Sequence, residues 1–245
     1  VTRGEVEVRL FRVGGVEVPY RVERRNVKNT RLEFRKGELW VVLGRWERDE
    51  GGILRDKQEW VVKNHLRIQE ALSESGKWHG DGEVMVGGEV FRLVKGGWVK
   101  KAEVREGERI IRFNPAGRGH RTGVKNGLKR MLVRKVNEWV EEFGERLGQK
   151  PEMIRIKNQR TAWGSCSSRR NLNLNLRLVF LPDKLARYVV FHEMLHLRYM
   201  SHGKRFKAVM EKEFPGWQGL EKELARWWYY VQKGAPEGLL ELKST

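Results

Sequence analysis

His192-Glu193-Met194-Leu195-His196 places two imidazoles and a carboxylate where a hydrolytic metal site needs them. On a helix, positions i and i+4 lie one above the other, so both histidines can reach one ion. Glu193, next to the first histidine, is placed to take a proton from a water held by that ion. His202 arrives a short turn later as a third ligand, so three of the six histidines in the chain sit in one short stretch. Glu211 and Glu213 stand further on as alternative third ligands. Three neutral imidazoles leave a divalent cation its full charge and an open position for water. Zinc is the ion this ligand type favours, with manganese, cobalt and nickel as alternatives on the same histidines.

The flanking sequence supplies elements to hold these groups. Leu181-Pro182-Asp183 reads as a helix start, with proline near the first turn and an acid at the positive end of the helix dipole. Leu185, Tyr188, Val189, Val190 and Phe191 make that helix largely buried. A carboxylate in such a setting is costly unless paired, and a divalent cation is a suitable partner. Leu197 to Gly203 reads as a turn that returns His202 to the site, and Lys204 to Phe214 as the next helix. Upstream, Leu172, Leu174, Leu176 and Leu178 alternate with Asn173, Asn175, Arg177 and Val179, which predicts a half-buried strand. Met153 to Lys157 predicts another, and Gln159 to Ser168 a loop or strand of small polar residues between them. Strand, polar loop, strand and metal helix is the order of an α+β, zincin-like metallohydrolase domain, with the HExxH helix against a small sheet. The leucine strand is then the expected edge for an extended substrate. Arg160 and Arg198 are candidates to stabilise an oxyanion. Ser165 and Ser167 are candidate hydrogen-bond donors to substrate, and Trp163 a candidate wall. Cys166 lacks a CxxC partner and is not expected to bind metal.

Trp163-Gly164-Ser165-Cys166-Ser167, the leucine strand, His192-Glu193-x-x-His196 and His202-Gly203-x-x-Phe206 together resemble the YgjP-like metal-dependent hydrolase (metallopeptidase) family. The histidine spacing is also similar to that of SprT-like and related DNA-associated proteases. The resemblance is firm from Met153 to Phe214 and looser from Tyr20 through Trp60 and around Trp139. It implies a metal on His192, His196 and His202, and Glu193 as general base. It favours His202 over the two downstream glutamates.

The chain has 245 residues, with 50 Lys and Arg against 32 Asp and Glu, a net charge of +18. That excess favours an anionic partner. Heat adaptation, the other source of a charged exterior, enriches both signs and does not explain a one-sided excess. A single cysteine excludes an internal disulfide and suits a reducing cytoplasm. No stretch is apolar for long enough to cross a bilayer, and the N-terminus has no signal-peptide pattern.

Residues 1–115 read as a β-rich N-terminal part with one helix, and 116–245 as the catalytic part. Val6 to Val13 and Val16 to Val22 predict a hairpin across Gly14-Gly15. Thr30 to Phe34 and Leu39 to Leu43 predict a second across Lys36-Gly37. Ile53 to Leu72 has helical spacing, several short strands follow between Glu83 and Phe113, and internal repeats and low-complexity runs are absent. In the predicted helix 121–147, the cations Arg118, Arg121, Lys125 and Lys129 would line one face if the helix reached back far enough. That row could follow a phosphate backbone or simply be solvated. Gly119, Gly123 and Gly127 weaken the start of this helix.

Two enzyme classes fit. One is a zinc metallopeptidase acting on peptide or protein. The other is a metal-dependent nucleoside triphosphate pyrophosphatase on the same site, with arginines holding the phosphates. A nucleic-acid-associated protein with a vestigial site is a third reading, against which the intact Glu193 counts.

Overall fold

The computed structural model describes residues 7–35, 37–75, 82–159 and 161–234. By their contacts these fall into two compact units, the described residues up to 75 with 226–234, and those from 82 to 225. The division therefore groups the strands after Glu83 with the histidines.

In the first unit, β1 (Val8–Val13), β2 (Val16–Arg24), β3 (Arg31–Arg35) and β4 (Glu38–Leu43) form a sheet ordered β1-β2-β4-β3. The predicted hairpin turn at Gly14-Gly15 is present, with φ of 56° and 79°. Those left-handed values explain the glycines. The buried face (Val18, Tyr20, Leu39, Val41, Leu43) packs on Leu54 of α1 (Glu50–Asp56) and Val61 of α2 (Gln58–Ser75). The single helix expected over Ile53 to Leu72 is thus two, separated at Lys57, which caps α1 through its N–H to Arg55 and Ile53 carbonyls.

In the second unit, β5 (Glu83–Val86), β6 (Glu89–Lys95), β7 (Glu103–Arg105) and β8 (Ile110–Phe113) form a sheet ordered β5-β6-β8-β7. This repeats the first topology: two antiparallel hairpins joined by a central parallel pair, β2 with β4 and β6 with β8. Each first hairpin turns on a glycine pair of positive φ, Gly14-Gly15 and Gly87-Gly88. A Glu-x-Arg-x-Gly-Glu pattern recurs at the second hairpin, from Glu33 and again from Glu103. The chain therefore carries an internal structural repeat, against the expected absence of one, because beyond that short pattern only turn residues and alternation are shared.

Helix α3 (His120–Leu147) follows and is continuous. Gly123 and Gly127 do not break it, because β7 lies against them. A Cβ on Gly127 would fall 2.7 Å from Val104 Cγ2, and one on Gly123 3.0 Å from Ala102 Cβ. The helix starts at His120 after Gly119, so Arg118 lies outside it and the expected row of four cations is reduced to three.

The small sheet that carries the site is ordered β10-β11-β9, from β9 (Met153–Lys157), β10 (Gly164–Cys166) and β11 (Asn171–Asn175). The leucine strand stops at Asn175, and a 3-10 helix takes Leu176–Phe180. Asn175 causes the change. It is fully buried, its side-chain carbonyl accepts from the Arg177 N–H, and its amide donates to the Gln159 and Ala162 carbonyls. Because β11 is central, the edge beside the helix that carries His192 is β10.

Helix α4 (Asp183–Leu195) starts at the predicted proline and packs on this sheet and on α3. Lys135 of α3 holds Asp183 at its first turn, at 2.7 and 2.8 Å. Phe143 and Phe191 meet edge to face at 5.0 Å, and both approach Phe214, just past α5 (Lys204–Glu213). Truncating a buried phenylalanine of this kind costs about 3–5 kcal/mol. Helix α6 (Trp217–Gly234) ends the described chain, and no described helix is long and apolar enough to cross a membrane.

Candidate active site

His192 and Glu193 lie in the last turn of α4, and His196 is its C-cap, still in a right-handed helical conformation. The chain then turns, and His202 returns just before α5. The three imidazoles offer ligand nitrogens all within 4.8 Å of one another, the one such cluster among the described residues. His192 Nε2 and His202 Nε2 are 2.9 Å apart.

Neighbouring groups hold the rings in place. His196 Nδ1 lies 3.0 Å from the Tyr199 carbonyl oxygen, which fixes the proton on Nδ1 and leaves Nε2 bare as a ligand. Phe206, buried in the first turn of α5, lies under all three rings at centroid distances of 5.0 Å (His192), 5.0 Å (His196) and 4.7 Å (His202). Tyr188 stands one turn before His192, rings 6.0 Å apart, and its hydroxyl donates to Glu221.

Burial, then the neighbouring imidazoles His196 and His202, push His192 down to about 4. It is neutral at pH 7, as a metal ligand must be. Burial also lowers His196, with the Tyr199 carbonyl opposing. Three imidazoles with converging nitrogens, one of them with an oriented tautomer, fit a divalent cation, and these residues would hold it.

Glu193 is buried, and burial pushes its carboxyl up to about 7, against the pull of the Cys166 N–H that it accepts. Gly164 makes this position available. A Cβ there would lie 2.7 Å from Glu193 Cγ. Pairing between β10 and β11 explains the amide. The Asn175 N–H donates to the Trp163 carbonyl and the Ser167 N–H to the Asn171 carbonyl. Alternation along an antiparallel pair then turns the main-chain groups of Gly164 and Cys166 away from β11, toward α4 and the open edge.

The other sequence candidates are placed as follows. Ser165 is exposed on β10 opposite Asn173, and Trp163 is half-buried at the start of that strand. The Ser167 hydroxyl accepts from the Asn171 N–H at 3.2 Å and closes the β10–β11 turn. Arg198 is exposed, its guanidinium 5.5 Å from the Tyr199 ring centre. Arg160 lies outside the described residues. Glu211 caps the Gly216 N–H, and Glu213 is paired with Arg146. Neither joins the histidine cluster. Sequence reasoning missed the supporting roles of Gly164, the Cys166 amide, the Tyr199 carbonyl and the Phe206 ring. Of these, only the two side-chain identities, glycine and phenylalanine, left any trace in the sequence.

The family model described as YgjP-like, metallopeptidase domain, matches residues 28–227. No curated protein matches the chain. Among solved structures, it is similar to the metallopeptidase zymogen of Pyrococcus abyssi abylysin, at 23% identity over 36% of this chain and 90% of that one, with a TM-score of 0.34. It is likewise similar to the metallopeptidase zymogen of Methanocaldococcus jannaschii jannalysin, at 25% identity over 37% and 85%, with a TM-score of 0.33.

Proposed function

The chain belongs to the YgjP-like metallopeptidase family, and from that premise we propose that it is a zinc-dependent peptidase in which Glu193 is the general base. Membership makes it a metal-dependent hydrolase. The choice of zinc rests on the donor set, three imidazoles with no carboxylate or thiolate among them. When bound, the ion supplies a Lewis acid that polarises the carbonyl under attack and makes a water more acidic.

The observation that carries the reading is the Glu193 carboxyl, raised to about 7 beside three converging imidazoles. A general base works best when its pKa lies near the working pH, since it must both accept and return a proton. Glu193 takes the proton of the attacking water and delivers it to the leaving amine nitrogen. The Cys166 N–H holds the carboxylate for that exchange. The open edge of β10, with the outward main-chain groups of Gly164 and Cys166, offers an extended polypeptide hydrogen bonds beside the reacting groups. Ser165 and Trp163 flank that edge.

Zinc-loaded protein should cleave unfolded protein, and Glu193→Gln should keep zinc and lose cleavage. His192→Ala should lose both. Nucleoside triphosphates assayed in parallel decide the substrate class. Glu193-dependent pyrophosphate release without peptide cleavage would replace the peptidase reading with phosphoanhydride hydrolysis.

A further inference from the structure

A groove of about 450 Å³ separates α3 from β9, on the far side of the small sheet from β10. Its floor is apolar, from Val133 and Val136 of the helix and Ile154 and Ile156 of the strand. Its rim is cationic, from Lys129 on the helix and Arg155 and Lys157 on the strand, all three exposed. A second depression, about 580 Å³, continues along the same helix face past Arg130. No acidic residue lines either one.

The cations at this rim differ from their neighbours on the helix. Arg134 is paired with Glu106, Lys135 with Asp183 and Arg146 with Glu142. Lys129, Arg130, Arg155 and Lys157 have no ion pair among the described residues. The strand beside them is equally unpaired, because β9 bonds to β11 on one side and to no described strand on the other. An edge of this kind leaves alternate N–H and C=O groups free to receive another strand.

We propose that this groove docks an extended, acidic polypeptide segment, a binding site for protein substrate separate from the metal site. Three features select that occupant together: a free strand edge pairs with a main chain, an apolar floor accepts alternate side chains, and a cationic rim matches carboxylates. A single nucleic-acid strand is the poorer match, because no aromatic side chain lines the groove to stack a base. Sheet order puts β9 two strand spacings from β10, about 10 Å, so docking and chemistry use different edges. The assignment to substrate rests on the peptidase reading above; the docking itself does not.

The test is fluorescence anisotropy on the full chain, metal-loaded, with a labelled peptide alternating Glu and Val. The same peptide with Lys for Glu, a single-stranded oligonucleotide and a duplex serve as competitors. The acidic peptide should bind, more weakly as salt is raised. Arg155→Glu with Lys157→Glu should weaken it by about tenfold or more, and Lys129→Glu, on the opposite wall, should do so independently. The Glu193→Gln variant should bind as the wild type does. Cleavage of an unfolded protein carrying the acidic segment should show a raised KM and an unchanged kcat in the charge-reversed variants. Binding that ignores charge reversal, or an oligonucleotide that binds with this sensitivity while the peptide does not, overturns the proposal. Glu193-dependent proteolysis without peptide binding also overturns it and leaves the peptidase standing. Charge-sensitive peptide binding without any proteolysis supports the groove and removes the peptidase reading instead.

Discussion

Gly164 and Glu193 touch so closely that the first carbon of any side chain at position 164 would lie 2.7 Å from Glu193 Cγ and 3.1 Å from its carboxyl carbon. The glycine is therefore required by space beside the Glu193 carboxyl. Gly164→Ala must push the carboxylate away from the Cys166 amide or move β10. Misplacement by about 1 Å can cost on the order of a hundredfold in rate, so kcat should fall by about that factor while zinc stoichiometry stays at the wild-type level. A variant with wild-type kcat would show that the carboxylate has freedom the packing denies it.

The raised Glu193 carboxyl predicts an inverted stability profile for the metal-free protein. Between its ordinary value of 4.5 and about 7 the folded chain binds the proton more tightly than the unfolded chain, so stability is lost as pH rises through that window. Above it, the ionised carboxylate costs about 3 kcal/mol. Gln cannot ionise and still accepts the Cys166 N–H. Metal-free Glu193→Gln should therefore melt above wild type near pH 8 and close to it near pH 5. His192, pulled down to about 4, acts in the opposite sense: its stabilising share is lost as pH falls from 6.5 toward 4. It does so in both proteins and so drops out of the comparison. Thermal melts with a chelator at the two pH values measure the gap, and a gap independent of pH counts against the buried-carboxylate account.

Phe206 touches the rings of all three clustered histidines. Phe206→Ala should cost about 3–5 kcal/mol of stability. Phe206→Leu, which keeps most of the volume, should fold and yet hold the imidazoles less firmly. Groups that orient metal ligands typically contribute about tenfold to a hundredfold in metal affinity, and zinc competition against a chromophoric chelator would read that loss. If Phe206→Leu binds zinc as tightly as wild type, the ring is simply part of the core.

The elements legible in the sequence were those whose pattern is local. The histidine spacing, the proline before α4 and the glycine pair at Gly14-Gly15 each announce a structure within a few residues. Less legible was whatever depends on a partner far along the chain. Leu176 and Leu178 continue the alternation of β11, yet Asn175 ends the strand because its amide finds the Gln159 and Ala162 carbonyls. The sequence order predicts the leucine strand as an edge, and the structure makes it central, because strand order is not written in any one strand. The repeat of the two four-stranded sheets was hidden because topology survives on turns and alternation. At the site, main-chain donors and acceptors such as the Cys166 N–H and the Tyr199 carbonyl belong to no residue type, and only their position gives them a role.

Gly127 tests the same lesson in the opposite direction. By local propensity, Gly127→Ala in the middle of α3 should stabilise the helix by about 1 kcal/mol. The new methyl would meet Val104 Cγ2 at 2.7 Å and Cβ at 3.0 Å, in a half-buried contact between the helix and β7. Overpacking of this kind costs about 1–3 kcal/mol, so the clash should win and the variant should be destabilised by up to about 2 kcal/mol. Val104→Ala removes the nearer obstruction, Cγ2, keeps Cβ at 3.0 Å, and by itself leaves a small gap. In the double variant the methyl fills that gap, so the two losses should fall short of adding, with a coupling of about 1 kcal/mol or more. Urea unfolding of the four proteins closes the cycle. Additive losses would mean that β7 yields to the helix, and that the glycine is there for another reason.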